Sequence, residues 1–332
     1  MPDDPERIPA EQRGGLCVFA PGLLLSVTVE QSEYGDEVHL HPGGQGYWMA
    51  RAIERLGEPV VLCTGLGGEV GDVLVALVTA QTSIELVDVR HAASSPAYVH
   101  SRVDGEREEH ARVRAPVLER HTADKLYSLT LAHAARRGVC VLAGNHDCAV
   151  LPTTAYRRLG IDLATLEVRV VTDLHGPELP AVVDGGAVAF AKVSDDDLRA
   201  DGVLRGDGDR ALGAAIATLA SWGSFDFIVT RGPDAPAIAR LGGRYHRVHG
   251  PRLAAVDWRG SGDAMAGAIA VAIQRGYDPL RTLRFGTAAG AASVTRRGLA
   301  SVDAVLVQAL EAHVEVEAVD SIDAAVAPDD RS

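Results

Sequence analysis

Positive charge is scarce in this chain: 32 lysines and arginines face 45 aspartates and glutamates, a formal net charge of −13 over 332 residues. Affinity for nucleic acid or an anionic membrane comes mostly from clustered Lys and Arg. Neither is therefore expected as a main partner, and an anionic small substrate has to be met by local positive charge. Cysteine is scarce too. Cys17, Cys63, Cys140 and Cys148 lie mostly in apolar runs, and no two stand at the two-residue spacing of zinc or redox motifs. Reduced, buried thiols are expected. No apolar stretch reaches the length of a membrane span, and the opening MPDDPERIPAEQRGG lacks the apolar core of a signal peptide. Cytoplasm is the expected compartment.

What is present is an ordinary globular composition, 47% hydrophobic and 23% charged, long enough to bury one extended α/β core. Residues 1–15 and 319–332 are rich in Pro, Asp, Ala and Ser and read as disordered tails around a single domain at 16–318. Within it, short β-branched runs such as LCVFA, VVLCTGL, VCVLAG, VRVVTDL, AVAFAK and FDFIVTRG alternate with Ala-rich amphipathic segments. That alternation predicts a mostly parallel sheet covered by helices on both faces. Two segments break it. DEVHLHP at 36–42 and AYVHSRVDGEREEHARV at 97–113 have period-2 patterning, the second with Asp104-Gly105 as a hairpin turn signal. Inserts at about 34–42 and 95–114 are expected to pair as a small sheet and to act as a lid over the crevice at the carboxyl ends of the parallel strands.

The segment AAVDWRGSGDAMAGAIAVAIQRG at 254–276 carries the most chemistry. A turn of Gly260, Ser261 and Gly262 opens an apolar helix, so backbone N–H groups and the positive end of the helix dipole converge where a phosphate fits. Asp263 at that helix start reads either as an N-cap or as a catalytic base. A second Gly-rich segment, HPGGQGYWMARAIERLG at 41–57, places Gly43 and Gly44 for close approach to a ligand. It lacks the GxGxxG spacing of a dinucleotide site.

With these motifs, with FIVTRGPDAPAIA and with AAGAASVTRRG, all in order over about residues 16–315, the sequence resembles the PfkB carbohydrate kinase family, nearest its 1-phosphofructokinase and tagatose-6-phosphate kinase subgroup. The resemblance implies a ribokinase-like three-layer α/β sandwich with a β-sheet lid, ATP and Mg2+ as cofactors, and transfer of a phosphoryl group to a hydroxyl of a small substrate, a sugar or sugar phosphate. It implies Asp263 as the base, the amides of Gly260, Ser261 and Gly262 as the anion hole, Thr230 and Gly232 at the nucleotide phosphates, and Ala289 and Ser293 on the adenine side. A homodimer through the lid is a further expectation.

The departures from the family pattern are specific. The sugar-gripping aspartate of the first strand matches Leu24, and the sugar-binding Asn of the glycine motif matches Trp48, which can stack on a ring or simply pack. The magnesium-organising Asn-x-x-Glu corresponds to Ser194 through Asp197, where Asp197 is a metal candidate or part of a solvated helix start. Arg259 stands where the family carries Thr, as a replacement for a monovalent ion's charge or as a surface residue. Asn145 and Arg102 are further substrate candidates, and Arg107 shares the lid segment with Arg102; His39 and His41 share one strand face without metal-like spacing. Leu24 and Trp48 open two alternatives: a kinase for a less polar alcohol such as a nucleoside, or a degenerate nucleotide-binding sensor.

Overall fold

A computed structural model describes residues 14–327 except 34, 104–105, 145–149, 233–234, 255 and 296–298. Residues 1–13 of the disordered tail expected at 1–15, the Asp104-Gly105 turn, Asn145 and Cys148 lie outside the described residues.

The chain begins with β1 (Leu16–Ala20), β2 (Leu24–Ser32), β3 (Gly35–Gly43), α1 (Gln45–Arg55), β4 (Val60–Gly67) and α2 (Gly68–Gln81). It continues through β5 (Glu85–His91), β6 (Ala97–Val103), β7 (Glu106–Val113), α3 (Arg120–Arg137), β8 (Val139–Ala143) and α4 (Thr153–Thr165). Next come β9 (Arg169–Asp173), α5 (Glu178–Asp184), β10 (Val188–Ser194), α6 (Asp195–Ala200), α7 (Asp209–Ser221) and β11 (Asp226–Thr230). The last third holds β12 (Ala237–Leu241), β13 (Arg244–His249), α8 (Ser261–Gln274), α9 (Pro279–Val294), α10 (Ala304–Glu311), β14 (Glu315–Val319) and α11 (Ile322–Val326).

Ten strands form one sheet in the order β14-β13-β12-β11-β10-β9-β8-β1-β4-β5. From β5 to β11 every pairing is parallel, and β12, β13 and β14 add an antiparallel edge. Alternation along each strand divides the core in two. On β1, Leu16, Val18 and Ala20 join the layer of α1, α2, α8 and α9, whereas Cys17 and Phe19 join that of α3, α4, α5 and α7. This is the predicted three-layer sandwich. Cys17, Cys63 and Cys140 are free, buried thiols. No helix among the described residues is long and apolar enough to cross a membrane.

A second sheet, in the order β3-β2-β6-β7, is the lid. It has one more strand than the patterning suggested: β2 pairs antiparallel with β3 and parallel with β6. The end of the chain also corrects the reading of residues 319–332 as a disordered tail. Ser321 caps α11, whose Ala325 and Val326 are buried beside α7. Arg247 of β13 donates to the carbonyls of Ala324, Ala325 and Ala327 at the helix end. Small residues mislead here because composition does not reveal that an arginine elsewhere satisfies their carbonyls. Hydrogen bonds from a charged donor contribute about 1.5 to 3 kcal/mol. Arg247→Ala should therefore lower the melting temperature, and an unchanged melting curve would mean that the tail adds no stability.

Candidate active site

Strand order reverses between β1 and β8, and the crevice beyond the carboxyl ends of the parallel strands opens there. The turn before α8 reaches this region, with α8 packed along β8, β9 and β10. Nine consecutive residues of α8, Ala264 to Ala272, are buried. Its alanines and Gly267 let α1 approach so closely that a Cβ on Gly267 would lie 2.9 Å from the Met49 carbonyl oxygen.

Gly260 is the N-cap of α8 and adopts a left-handed conformation, φ 77°, that a side chain would strain. No side chain caps this helix. The Ser261 amide bonds the Trp258 carbonyl at 3.3 Å; the amides of Gly262 and Asp263 have no backbone partner among the described residues. Two N–H groups thus point outward with the helix dipole behind them. Asp263 is the third residue of the helix and does not cap it.

Beneath this turn lies a buried pair that the sequence reading did not single out as functional. Lys192, near the end of β10, donates to Asp173, the last residue of β9, at 3.2 Å. A Cβ on Gly262 would fall 2.5 Å from Lys192 Nζ, so any side chain there displaces the ammonium group. Burial works against the charge on Lys192, but the carboxylates of Asp173, Asp197 and Asp263 outweigh it and hold its pKa above the usual value. Asp263 moves the opposite way to most aspartates. Burial first, then the charges of Asp173 and Asp197, push it up to about 7, although Lys192 pulls it down. The signal available in the sequence was a charged residue at or near the carboxyl end of each of two apolar runs, VRVVTD and AVAFAK.

The other expected residues are placed as follows. Thr230, which ends β11, is the register partner of Ser194 and donates to the Val193 carbonyl at 3.3 Å. Gly232 follows it. Ser194 and Asp197 form a capping box on α6: the Ser194 hydroxyl accepts from the Asp197 amide at 3.0 Å, and the Ser194 amide donates to Asp197 Oδ2 at 3.1 Å. Burial alone would raise the Asp197 carboxyl; the Ser194 bonds and Lys192 bring it below the usual value. Ala289 and Ser293 are buried on α9, where Ser293 donates to the Gly290 carbonyl at 2.8 Å. Arg259 bonds Asp257 Oδ1 through its amide at 3.1 Å and Nε at 3.0 Å.

Gly43 closes lid strand β3 and Gly44 caps α1. Leu24 opens β2 opposite Gly43, and Trp48 packs edge-on against Tyr47 with ring centroids 4.9 Å apart. Arg102 on the lid pairs with Glu30 at 3.3 Å. Among the described residues no three His, Cys, Asp or Glu side chains are grouped to hold a metal ion.

The pfkB family carbohydrate kinase model matches residues 148–304, a span that contains Asp173, Lys192, Thr230 and the whole turn before α8. That stretch of the chain carries the pattern of the family. Solved structures agree in fold. The chain is similar to Escherichia coli phosphofructokinase-2 in complex with potassium at 20% identity and a TM-score of 0.78, over 90% of this chain and 99% of that one. It is similar to a possible 1-phosphofructokinase of Thermotoga maritima at 16% identity and a TM-score of 0.77, over 92% and 99%. Arabidopsis thaliana ribokinase, solved with ribose and ATP, matches at 18% identity and a TM-score of 0.70, over 90% and 99%. The ribokinase-like fold expected from the sequence is the one observed.

The raised carboxyl of Asp263 has a thermodynamic sign. Its folded pKa of about 7 stands above an unfolded value of about 3.9, so the folded state binds the extra proton between them. Stability from this group is full below about pH 4 and is lost as pH climbs through about 7. Urea denaturation should show Asp263→Asn stabilising the protein more at pH 8 than at pH 5. A pH-independent difference would mean that ionised Asp263 is not strained.

Proposed function

We propose that the chain transfers the terminal phosphoryl group of ATP to a hydroxyl of a sugar or sugar phosphate, with Asp263 taking the hydroxyl proton. The observation that carries this reading is the placement of Asp263 on the same turn as the outward amides of Gly262 and Asp263, above Lys192. Phosphoryl transfer needs positioning and charge stabilisation more than covalent chemistry. The amides and Lys192 would take the charge of the moving phosphoryl group, while a carboxyl poised near neutrality is well matched to a proton-transfer role. Thr230 and Gly232 would line the nucleotide phosphates, and Ala289 and Ser293 the adenine.

A magnesium ion fits this site only as one carried by the nucleotide. Asp197 commits an oxygen to Ser194 and Asp173 one to Lys192, and Mg2+ is ordinarily held by one or two carboxylates together with substrate phosphates and water. Asp197 and Asp173 are the carboxylates that would meet it; when bound, the ion would neutralise phosphate charge. Leu24 and Trp48 sit at the junction of lid and α1 and would shape the acceptor side.

The test is ATP turnover against a panel of sugars and sugar phosphates. Wild type should turn over at least one of them, and Asp263→Asn should lose roughly 10² to 10⁴ in kcat while ATP still binds. More than half of the activity surviving in the variant would end the assignment.

A second copy of the chain is the proposed partner of the outer lid face. Val29 pairs with Val38 and Val27 with Leu40, and Val38 and Leu40 are 63% and 40% exposed. Light scattering should find a dimer that Val38→Lys with Leu40→Lys converts to monomer; a monomeric wild type would remove this proposal.

A further inference from the structure

Between the starts of α3 and α4, on the opposite face of the sheet from α8, lies a cavity of about 370 Å³ that the proposed reaction does not use. Its floor is apolar. Phe19 of β1, Leu118 just before α3, and Leu151 and Leu159 of the α4 segment line it, and all four are buried. Ala123 of α3 and Ala155 of α4 also line it and put only a methyl group into the space. The Leu118 amide donates to the Val150 carbonyl at 3.0 Å, which ties together the two loops that lead into these helices. Small-molecule sites ordinarily have this form: roughly 300 to 1,000 Å³, mostly apolar, with a few placed polar groups.

The charged groups stand at the rim. Arg120 and Asp124 neutralise each other at 3.6 Å. Arg158 is placed differently: its guanidinium lies over the Tyr127 ring, 4.7 Å from the centroid. The Tyr127 hydroxyl donates to Asp162, so that carboxylate is engaged, and Arg158 has no ion-pair partner among the described residues. Attraction to the aromatic face holds the guanidinium beside the cavity. The rim therefore offers one unpaired cation above an apolar floor.

We infer that this cavity binds an amphipathic carboxylate, its apolar body on Phe19, Leu118, Leu151 and Leu159 and its head at Arg158. A carboxylate presents two acceptor oxygens to the planar fork of an arginine. The floor excludes a sugar or a nucleotide, whose hydroxyls would be buried there without partners. Asp124 and Asp162, close to the single unpaired cation, favour a monoanion over a phosphate dianion. The site is separate from the reaction crevice but bears on the chain that leads to the lid. Residues 114–119 run from lid strand β7 into α3, and Leu118 also packs toward the segment joining β1 to β2: a Cβ on Gly65 would meet Leu118 Cδ1 at 3.4 Å and the Pro21 carbonyl oxygen at 3.0 Å. The site stands whether or not the chain is a kinase.

The probes are octanoate, hexanoate and 1-octanol, titrated calorimetrically into wild type, Arg158→Gln and Ala155→Phe after a melting curve has shown each to be folded. Octanoate should bind wild type roughly 10- to 20-fold more tightly than hexanoate, since each buried methylene adds about fourfold. Neutral octanol should bind roughly tenfold more weakly than octanoate, and Arg158→Gln should cost octanoate about the same factor while leaving octanol unchanged. Ala155→Phe puts a ring into the cavity and should abolish binding of all three; should it fail to fold, Arg158→Gln and the chain-length comparison still decide the matter. Bound octanoate should slow amide hydrogen exchange in residues 114–123 and 150–155. No binding at millimolar octanoate, an affinity indifferent to Arg158 and to chain length, protection confined to other segments, or displacement of octanoate by ATP would each overturn the inference.

Discussion

One ammonium group organises the centre of this protein. Lys192 sits under the Gly260–Asp263 turn with Asp173 at 3.2 Å and Asp197 and Asp263 within electrostatic reach. Three carboxylates converging on so small a buried volume would repel one another strongly without it. With it, Asp197 and Asp263 diverge: the Ser194 bonds and Lys192 bring Asp197 below the usual carboxylate value, while burial and the neighbouring carboxylates push Asp263 up to about 7. The parallel sheet exists, in this sense, to bring the carboxyl ends of β9 and β10 under one helix start. Gly262 is the residue that permits the approach, because a single carbon there would occupy the place of the ammonium.

Much of the architecture was legible in the sequence because it depends on local pattern. β-branched runs between Ala-rich segments marked the layers, and the glycine turn before an apolar helix marked α8. The lid was recognised through DEVHLHP and AYVHSRV, but β2 was missed. LLSVTVEQS alternates as plainly as they do; its leading Leu24 had been aligned with the end of the family's first strand, which hid the new strand starting there. The tail was misjudged because its cap, Arg247, lies some eighty residues away.

The site was less legible, since its electrostatics depend on pairs that are distant in sequence. Nothing in AVAFAK or VRVVTD says that the two runs are neighbouring strands, and only that adjacency makes Lys192 and Asp173 a pair. Ser194-x-x-Asp197 illustrates the opposite difficulty. The same spacing serves a metal-organising motif and a helix capping box, and here the capping bonds are present.

The lid's connectivity limits how it can move. Its four strands arrive through two separate excursions of the chain, β2-β3 between β1 and α1, and β6-β7 between β5 and α3, and β2 and β6 are welded by a parallel ladder of six register pairs. Four strands of backbone therefore tether one rigid plate to the body, as four legs hold a table. No single peptide can act as a hinge for such a plate. The motion left to it is a shallow tilt shared by all four tethers, so a substitution in any one of them, such as Gly44 between β3 and α1, alters the travel of the whole plate and not merely of the strand it joins.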